Sequence, residues 1–334
     1  MRINRQALLR IAEDTVAQRA RRERGIVSAY LCGSVLEDEF LLGGTTDIDL
    51  VFIHSDVPPV EREIVHLTDE VHLDIAHYAQ KDFRQTRRLR MHPWLGPAIF
   101  NSKALYDPQH FMDFTQASVR GQFQQPDHVM ERARQQAEHA RQVWMSFYTT
   151  PPKQPGAKEV YQYLKAVAHA GNAVASLYGP PLTERRFLLR YAQRAEAAGR
   201  SGLNAGLLGL LGASHADIES MQIWLVAWRV CLQTLPADIV PPRLHPHRIP
   251  YYQRACENML DGEQPKALLW PLLRTWTLAA SLLPEDSEGV AAWQKAGNFL
   301  GLLGAGFGER IEALDAYLDT VEDILDEWSR ANGV

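Results

Sequence analysis

Every strand-like pattern in this chain lies before about residue 110, and only helical patterns follow. That division constrains the fold strongly, because sheets and helical bundles bury their apolar faces in different ways. "IVSAYLCGS" reads as a strand entering a Gly-Ser turn, and "DIDLVFIHS" as a second strand. "EVHLDIAHYA" alternates apolar and polar residues as a third, and "SKALYDP" adds a short fourth, stopped by Pro108. Residues 4–24 read as a helix, with Leu8, Leu9, Ala12 and Val16 at helical spacing and Gly25 at its end. Residues 60–68, after Pro58-Pro59, are expected to be helical, and "KDFRQTRRLR" to begin a basic helix.

Helices are expected near 127–148, 157–178, 184–199, 215–235, 251–261, 265–282, 287–303 and 308–331. "TTPPKQPG", "YGPPLTE" and "LPADIVPPRLHPHRIP" punctuate them. A length of 334 residues exceeds what one core usually supports, so a small α/β domain over 1–120 and an all-helical domain over 121–334 are expected. No fixed-period repeat suggests a solenoid. A cleft between two domains is a common place for a ligand.

Composition excludes several classes. A net charge of −5 gives no reason to expect bulk binding to nucleic acid or an anionic membrane. Three cysteines, far apart, make neither a disulfide framework nor a zinc site, which suits a reducing cytoplasm. The N-terminal stretch is charged throughout and lacks the apolar core of a signal peptide. "LNAGLLGLLGA" and "MQIWLVAWRVCLQTL" fall short of the roughly 20 apolar residues that span a bilayer, and read as buried helices.

The chemistry concentrates in "LCGSVLEDEFLLGGTTDIDLVFI". In a strand, residues i and i+2 share a side, so Asp47 and Asp49 project together with Val51 and Ile53. Two carboxylates this close repel unless a cation lies between them, and a hard divalent ion such as Mg²⁺ satisfies both. Gly33-Ser34 follows a strand, where glycine allows close approach of the backbone to a ligand and Ser34 offers a hydroxyl. In "VHLDIAH", Val71, Leu73 and Ile75 face one way, while His72, Asp74 and Ala76 face the other. A carboxylate at the centre of an apolar strand needs a partner. If this strand neighbours the Asp47–Asp49 strand, Asp74 joins the pair.

Gly33-Ser34, then Asp47-x-Asp49 at a strand start, then Asp74 inside a later strand, together resemble the polymerase-β-like nucleotidyltransferase superfamily. Leu31-Cys32 before the Gly-Ser pair, Thr46 before the first aspartate, and Leu50-Val51-Phe52-Ile53 after the second fit the same pattern. The resemblance covers roughly residues 25–110. The helical second half looks like that of aminoglycoside nucleotidyltransferases and similar small-molecule enzymes. The expected fold is therefore α+β: a small mixed sheet flanked by helices, followed by an all-α domain. The resemblance implies that Gly33, Ser34 and Thr46 lie at the nucleotide, that Asp47 and Asp49 bind Mg²⁺, and that Asp74 binds a second metal or acts as base. It implies transfer of NMP, AMP from ATP foremost, to an acceptor hydroxyl with release of pyrophosphate. The expected partners are an NTP and a small-molecule acceptor, with a second copy of the chain as a candidate, and neither nucleic acid nor membrane. Glu37, Asp38 and Glu39 sit where phosphates would pass, so they are expected to face solvent or to be offset by a Lys or Arg.

Arg84, Arg87 and Arg88 would share a helical face, as a phosphate clamp, a nucleic-acid contact or a plain solvated surface. Lys158, Tyr161, Lys165, His169 and Asn172 form a helical stripe suited to face a nucleotide, with Lys165 the expected contact. Trp224 and Trp228 read as core. Arg134-x4-His139 and Arg132-x6-His139 match a ribonuclease spacing found in helical partners of minimal nucleotidyltransferases in toxin–antitoxin systems. With so many arginines, that spacing arises easily by chance. A transferase acting on protein or RNA, and a nucleotide-binding regulator without catalysis, are the alternatives.

Overall fold

The first helix, α1 (Arg5–Arg22), starts where the Asn4 side chain accepts the Ala7 N–H at 2.8 Å. Its last turn carries Arg19, Arg21 and Arg22, which suit the negative end of the helix dipole. Leu8, Ala12 and Val16 recur every fourth residue and are buried. The computed structural model describes residues 3–236 and 240–334. Ala237, Asp238 and Ile239, within the proline-rich segment read above as punctuation, lie outside the described residues, as do Met1 and Arg2.

The strands are β1 (Ile26–Cys32), β2 (Thr46–His54), β3 (Arg62–His66), β4 (Val71–Ala79) and β5 (Lys103–Tyr106). They form one mixed sheet in the order β3-β4-β2-β1-β5. β2 and β4 are parallel, and the other pairs are antiparallel. Alternation sorts the side chains of β2 and β4 onto two faces. Ile48, Leu50, Phe52, Val71, Leu73 and Ile75 pack with Leu8, Ala12 and Val16 of α1. Val51 and Ile53 pack on the opposite face with Leu89, Ile99, Met112 and Val119. These come from α2 (Thr86–Met91), α3 (Leu95–Phe100) and α4 (Phe111–Arg120), the last two not anticipated from sequence.

Two expectations fail here. Residues 60–68 are not helical: Arg62–His66 is a strand. Ile64 and Val65 are β-branched, and the segment pairs along β4 at the edge of the sheet, with Arg62 and His66 exposed. The Thr68 hydroxyl accepts the N–H groups of Glu70 and Val71 and turns the chain into β4. The basic segment is not one helix either. A 3-10 turn over Gln80–Phe83 ends at Arg84 before α2 begins, so Arg84 shares no helix with Arg87 and Arg88. All three are exposed.

On the α1 face, a polar chain ties four elements together. Arg19 pairs with Glu63 at 2.5 Å, Glu63 with His77 at 2.8 Å, and His77 with His54 at 2.9 Å. Burial, then the neighbouring His77, lowers the His54 pKa, so the ring stays neutral inside the sheet layer.

The chain divides into two compact units, Met1–His128 and Val129–Val334. The remaining helices are α5 (Pro126–Thr149), α6 (Ala157–Ala175), α7 (Phe187–Ala197), α8 (Gly202–Leu210), α9 (Ile218–Gln233), α10 (Ile249–Leu260), α11 (Leu269–Ala280), α12 (Glu288–Phe299) and α13 (Gly306–Asn332). Helices α6 and α11 are buried along most of their length. Trp228 is fully buried on α9, its indole N–H donating to the Thr275 hydroxyl at 2.8 Å, and Trp224 is buried beside it. No strand occurs among the described residues of this unit, so the fold is α+β with a helical C-terminal part. No helix among the described residues is long and apolar enough to cross a membrane.

Candidate metal centre

Parallel pairing of β2 with β4 sets Asp49 directly opposite Asp74. Asp47, two residues earlier on β2, projects from the same face. One ligand oxygen from each of the three carboxylates lies within 4.8 Å of the others. Asp47 and Asp74 are buried and Asp49 is half-buried. β4 is an interior strand, so Asp74 is not the solvated side chain of a sheet edge. Three oxygen-only donors this close form a set suited to a hard cation and unsuited to a soft one. The cluster could hold a metal ion.

The Gly-Ser turn completes one side. Cys32 pairs with Asp49 at the end of β1, and Gly33 follows at φ 77 and ψ −163. A non-glycine residue rarely adopts that backbone. A Cβ on Gly33 would lie 1.8 Å from Asp49 Oδ2, so only glycine lets the turn run against the carboxylate. Ser34 is half-buried, with its hydroxyl 3.4 Å from that of buried Thr46. Thus the structure brings together Gly33, Ser34, Thr46, Asp47, Asp49 and Asp74. Lys165 lies in the helical unit on α6, with its ammonium over the Tyr161 ring. Of its stripe, Asn172 is a buried core residue bonded to the Leu182 backbone, and Lys158 is exposed. Arg132 is buried on α5, whereas Arg134 and His139 are exposed.

Arg62 is the residue that sequence reading missed. Its Nε and Nη2 donate to the two carboxylate oxygens of Asp74 at 2.5 and 2.7 Å. This fork supplies the partner that a buried carboxylate requires, and it fixes the plane of the Asp74 carboxylate. A carboxylate offers about four lone-pair sites, so pairing with Arg62 leaves Asp74 able to accept more. The local signal was partial: a strand reading of "EREIVH" puts Arg62 and Ile64 on one face, while the pairing that sets Ile64 opposite Asp74 is long-range.

A cavity of about 250 Å³ opens at the cluster, lined by Cys32, Asp49, Arg62, Asp74, Tyr78 and Trp94 among others. Burial, and then the charges of Asp49 and Asp74, push the Cys32 thiol well up, so it lines the cavity as a neutral group and not as a nucleophile. The hydroxyl of Tyr30, another wall residue, is buried and has no hydrogen-bond partner among the described residues. The acidic loop is partly offset. Arg5 of α1 lies 3.5 Å from Asp38 and also bonds the Glu37 carbonyl, while Asp38 and Glu39 face solvent.

No protein-family model matches the chain, and no curated protein matches it in sequence.

Proposed function

We propose that the N-terminal unit is a Mg²⁺-dependent nucleotidyltransferase that moves NMP, AMP foremost, from an NTP to the hydroxyl of a small molecule. The observation that supports this reading is the meeting of Asp47, Asp49 and Asp74 within 4.8 Å, beside a turn that only glycine can make. Asp47 and Asp49 would hold the metal, with Asp74 contributing a further oxygen. Mg²⁺, when bound, supplies positive charge against the phosphoryl oxygens and their leaving group.

The remaining roles belong to the chain. Gly33 presents bare backbone, and Ser34 with Thr46 presents hydroxyls, to the nucleotide's phosphates. The acceptor hydroxyl attacks the α-phosphorus, the bond to the bridging oxygen breaks, and pyrophosphate leaves with that electron pair. The proton released by the acceptor passes to a carboxylate oxygen of Asp74, which Arg62 holds in plane. The cavity of about 250 Å³ beside Asp74 gives the reacting part of the acceptor a place. Most of the rate comes from positioning and charge neutralisation.

Pyrophosphate release from ATP and Mg²⁺ tests the assignment, with a panel of hydroxylated small molecules, RNA and protein as acceptors. Asp47→Asn and Asp49→Asn each abolish release while the far-UV circular dichroism stays that of the wild type. Normal turnover in either variant refutes the metal-site assignment. Binding of ATP by the wild type with no release to any acceptor would favour a non-catalytic nucleotide sensor.

A further inference from the structure

The helical unit contains a concentration of positive charge that the transferase chemistry of the sheet unit does not use. Tyr161 of α6 is its hub. The Arg274 guanidinium of α11 lies 4.7 Å from the Tyr161 ring centroid, and the Lys165 ammonium 5.2 Å from it. Arg243, from a 3-10 turn before α10, donates to the Tyr161 hydroxyl at 3.1 Å. Arg243 also binds Glu184 at 2.7 Å.

Glu184 balances only part of this charge. Burial alone would raise its pKa, but Arg243, Arg248 and Arg274 outweigh burial and pull it down to about 2. Its two oxygens accept from Arg243 and from the Tyr252 hydroxyl. Arg274 Nη1 is buried with no hydrogen-bond partner among the described residues, and the residue as a whole is 9% exposed. Burial and repulsion from Arg243 lower the Arg274 pKa, and Tyr161 and Glu184 offset part of that, so the guanidinium stays charged at a cost that a further anion would relieve. Lys165 contacts Tyr161 through its ring face and makes no ion pair among the described residues. His169, one turn on from Lys165, is pushed down to about 4 by burial and by His139, Arg274 and Lys165, so its ring is neutral at pH 7, with Nδ1 hydrogen-bonded to Gln136 Oε1. Tyr161, Lys165, His169 and Arg243 are all half-buried, so the cluster reaches solvent.

Cationic donors gathered on an aromatic platform, one of them buried with an idle N–H, fit an oxyanion. We propose that this cluster is an anion site of the helical unit that takes the carboxylate or phosphate group of a small molecule. The anion site does not depend on the transferase reading. A nucleotide triphosphate offers the same oxygens, and the experiment separates the two sources.

Full-length protein is titrated calorimetrically with inorganic phosphate in magnesium-free buffer. The wild type binds saturably, and Arg274→Gln and Lys165→Ala each weaken binding by about tenfold or more, a loss readable directly in Kd. Lys165→Ala alters a half-buried side chain and keeps the test sound if Arg274→Gln fails to fold. The titration is then repeated on the wild type with ATP present, still without magnesium. Unchanged phosphate affinity shows a site separate from the nucleotide's, whereas competitive loss assigns it to the nucleotide and overturns the proposal. Absence of phosphate binding, or binding indifferent to both substitutions, also overturns it. Failure of the transferase reading shows elsewhere, as normal pyrophosphate release by Asp49→Asn, and leaves the phosphate titration standing.

Discussion

Gly33→Ala isolates the geometry of the acid cluster, because it removes no donor and no charge. The added Cβ would lie 1.8 Å from Asp49 Oδ2 and 2.7 Å from Asp49 Cγ. Carbon-to-atom contacts below 3.0 Å are essentially never tolerated, so the carboxylate must retreat by roughly 1.2 Å, the difference between 3.0 and 1.8 Å. Alanine must also occupy φ 77 with ψ −163, a glycine-only region costing about 1–3 kcal/mol. That strain lowers the Tm by roughly 2–10 °C. A displacement on the order of 1 Å at a reacting group costs about a hundredfold in rate. The assay is differential scanning fluorimetry with and without Mg²⁺, paired with pyrophosphate release. At 100 times its Kd, Mg²⁺ stabilises the wild type by about 2.7 kcal/mol. Gly33→Ala keeps a cooperative transition but loses most of that increment. A wild-type Tm together with a full Mg²⁺ increment would refute the reasoning.

Further outcomes follow from the same contacts. Arg62→Met strands the buried Asp74 carboxylate; because Arg62 is 47% exposed, the loss is about 1–3 kcal/mol in urea denaturation, less than for a fully buried pair. Pairing it with Asp74→Asn recovers part of that loss, and strict additivity of the two would show that the fork contributes nothing. Since burial holds the His169 pKa near 4, against 6.5 for an unconstrained ring, the unfolded chain binds the extra proton first as pH falls. Stability tied to His169 is therefore complete above pH 6.5 and lost toward pH 4, by on the order of 3 kcal/mol, and His169→Gln flattens that limb of the stability curve. A curve equally steep in the variant would exclude His169 as the source. Glu184 acts lower, its contribution present above about pH 4.5 and lost toward pH 2.

How much the sequence disclosed depends on the range of the signal. Side-chain parity is local, so Asp47 and Asp49 could be set on one face of β2, and Asp74 on the matching face of its strand, from spacing alone. That the two strands are neighbours is a long-range fact, which the pattern could only make conditional. The helical unit was legible because its helices are long and periodic, and Trp224 and Trp228 fell where a core stripe predicts. β3 was misread because five residues give little periodicity, and Arg62 and Glu63 suit either a helix start or an edge strand. Losing β3 meant losing Arg62. The cationic cluster was illegible for a different reason. Tyr161, Glu184, Arg243 and Arg274 come from four separate segments, and no window of sequence contains two of them at a meaningful spacing. The stripe around Lys165 pointed to one wall, but Asn172, counted in it, bonds the backbone of Leu182 instead.

The direct pairing of β2 with β4 also decides where this gene can gain or lose codons. Their ladder runs residue by residue from Thr46–Val71 to His54–Ala79, with no bulge to absorb an extra position. Deleting one residue just ahead of Asp74 would turn the rest of that strand over and drive its acid into the layer beneath α1. The mostly exposed stretch 56–60, between the backbone bonds of Ser55 to Gly25 and of His77 to Glu61, has no such bookkeeping, so it is free to lengthen, shorten or take up a graft while the three acids stay put.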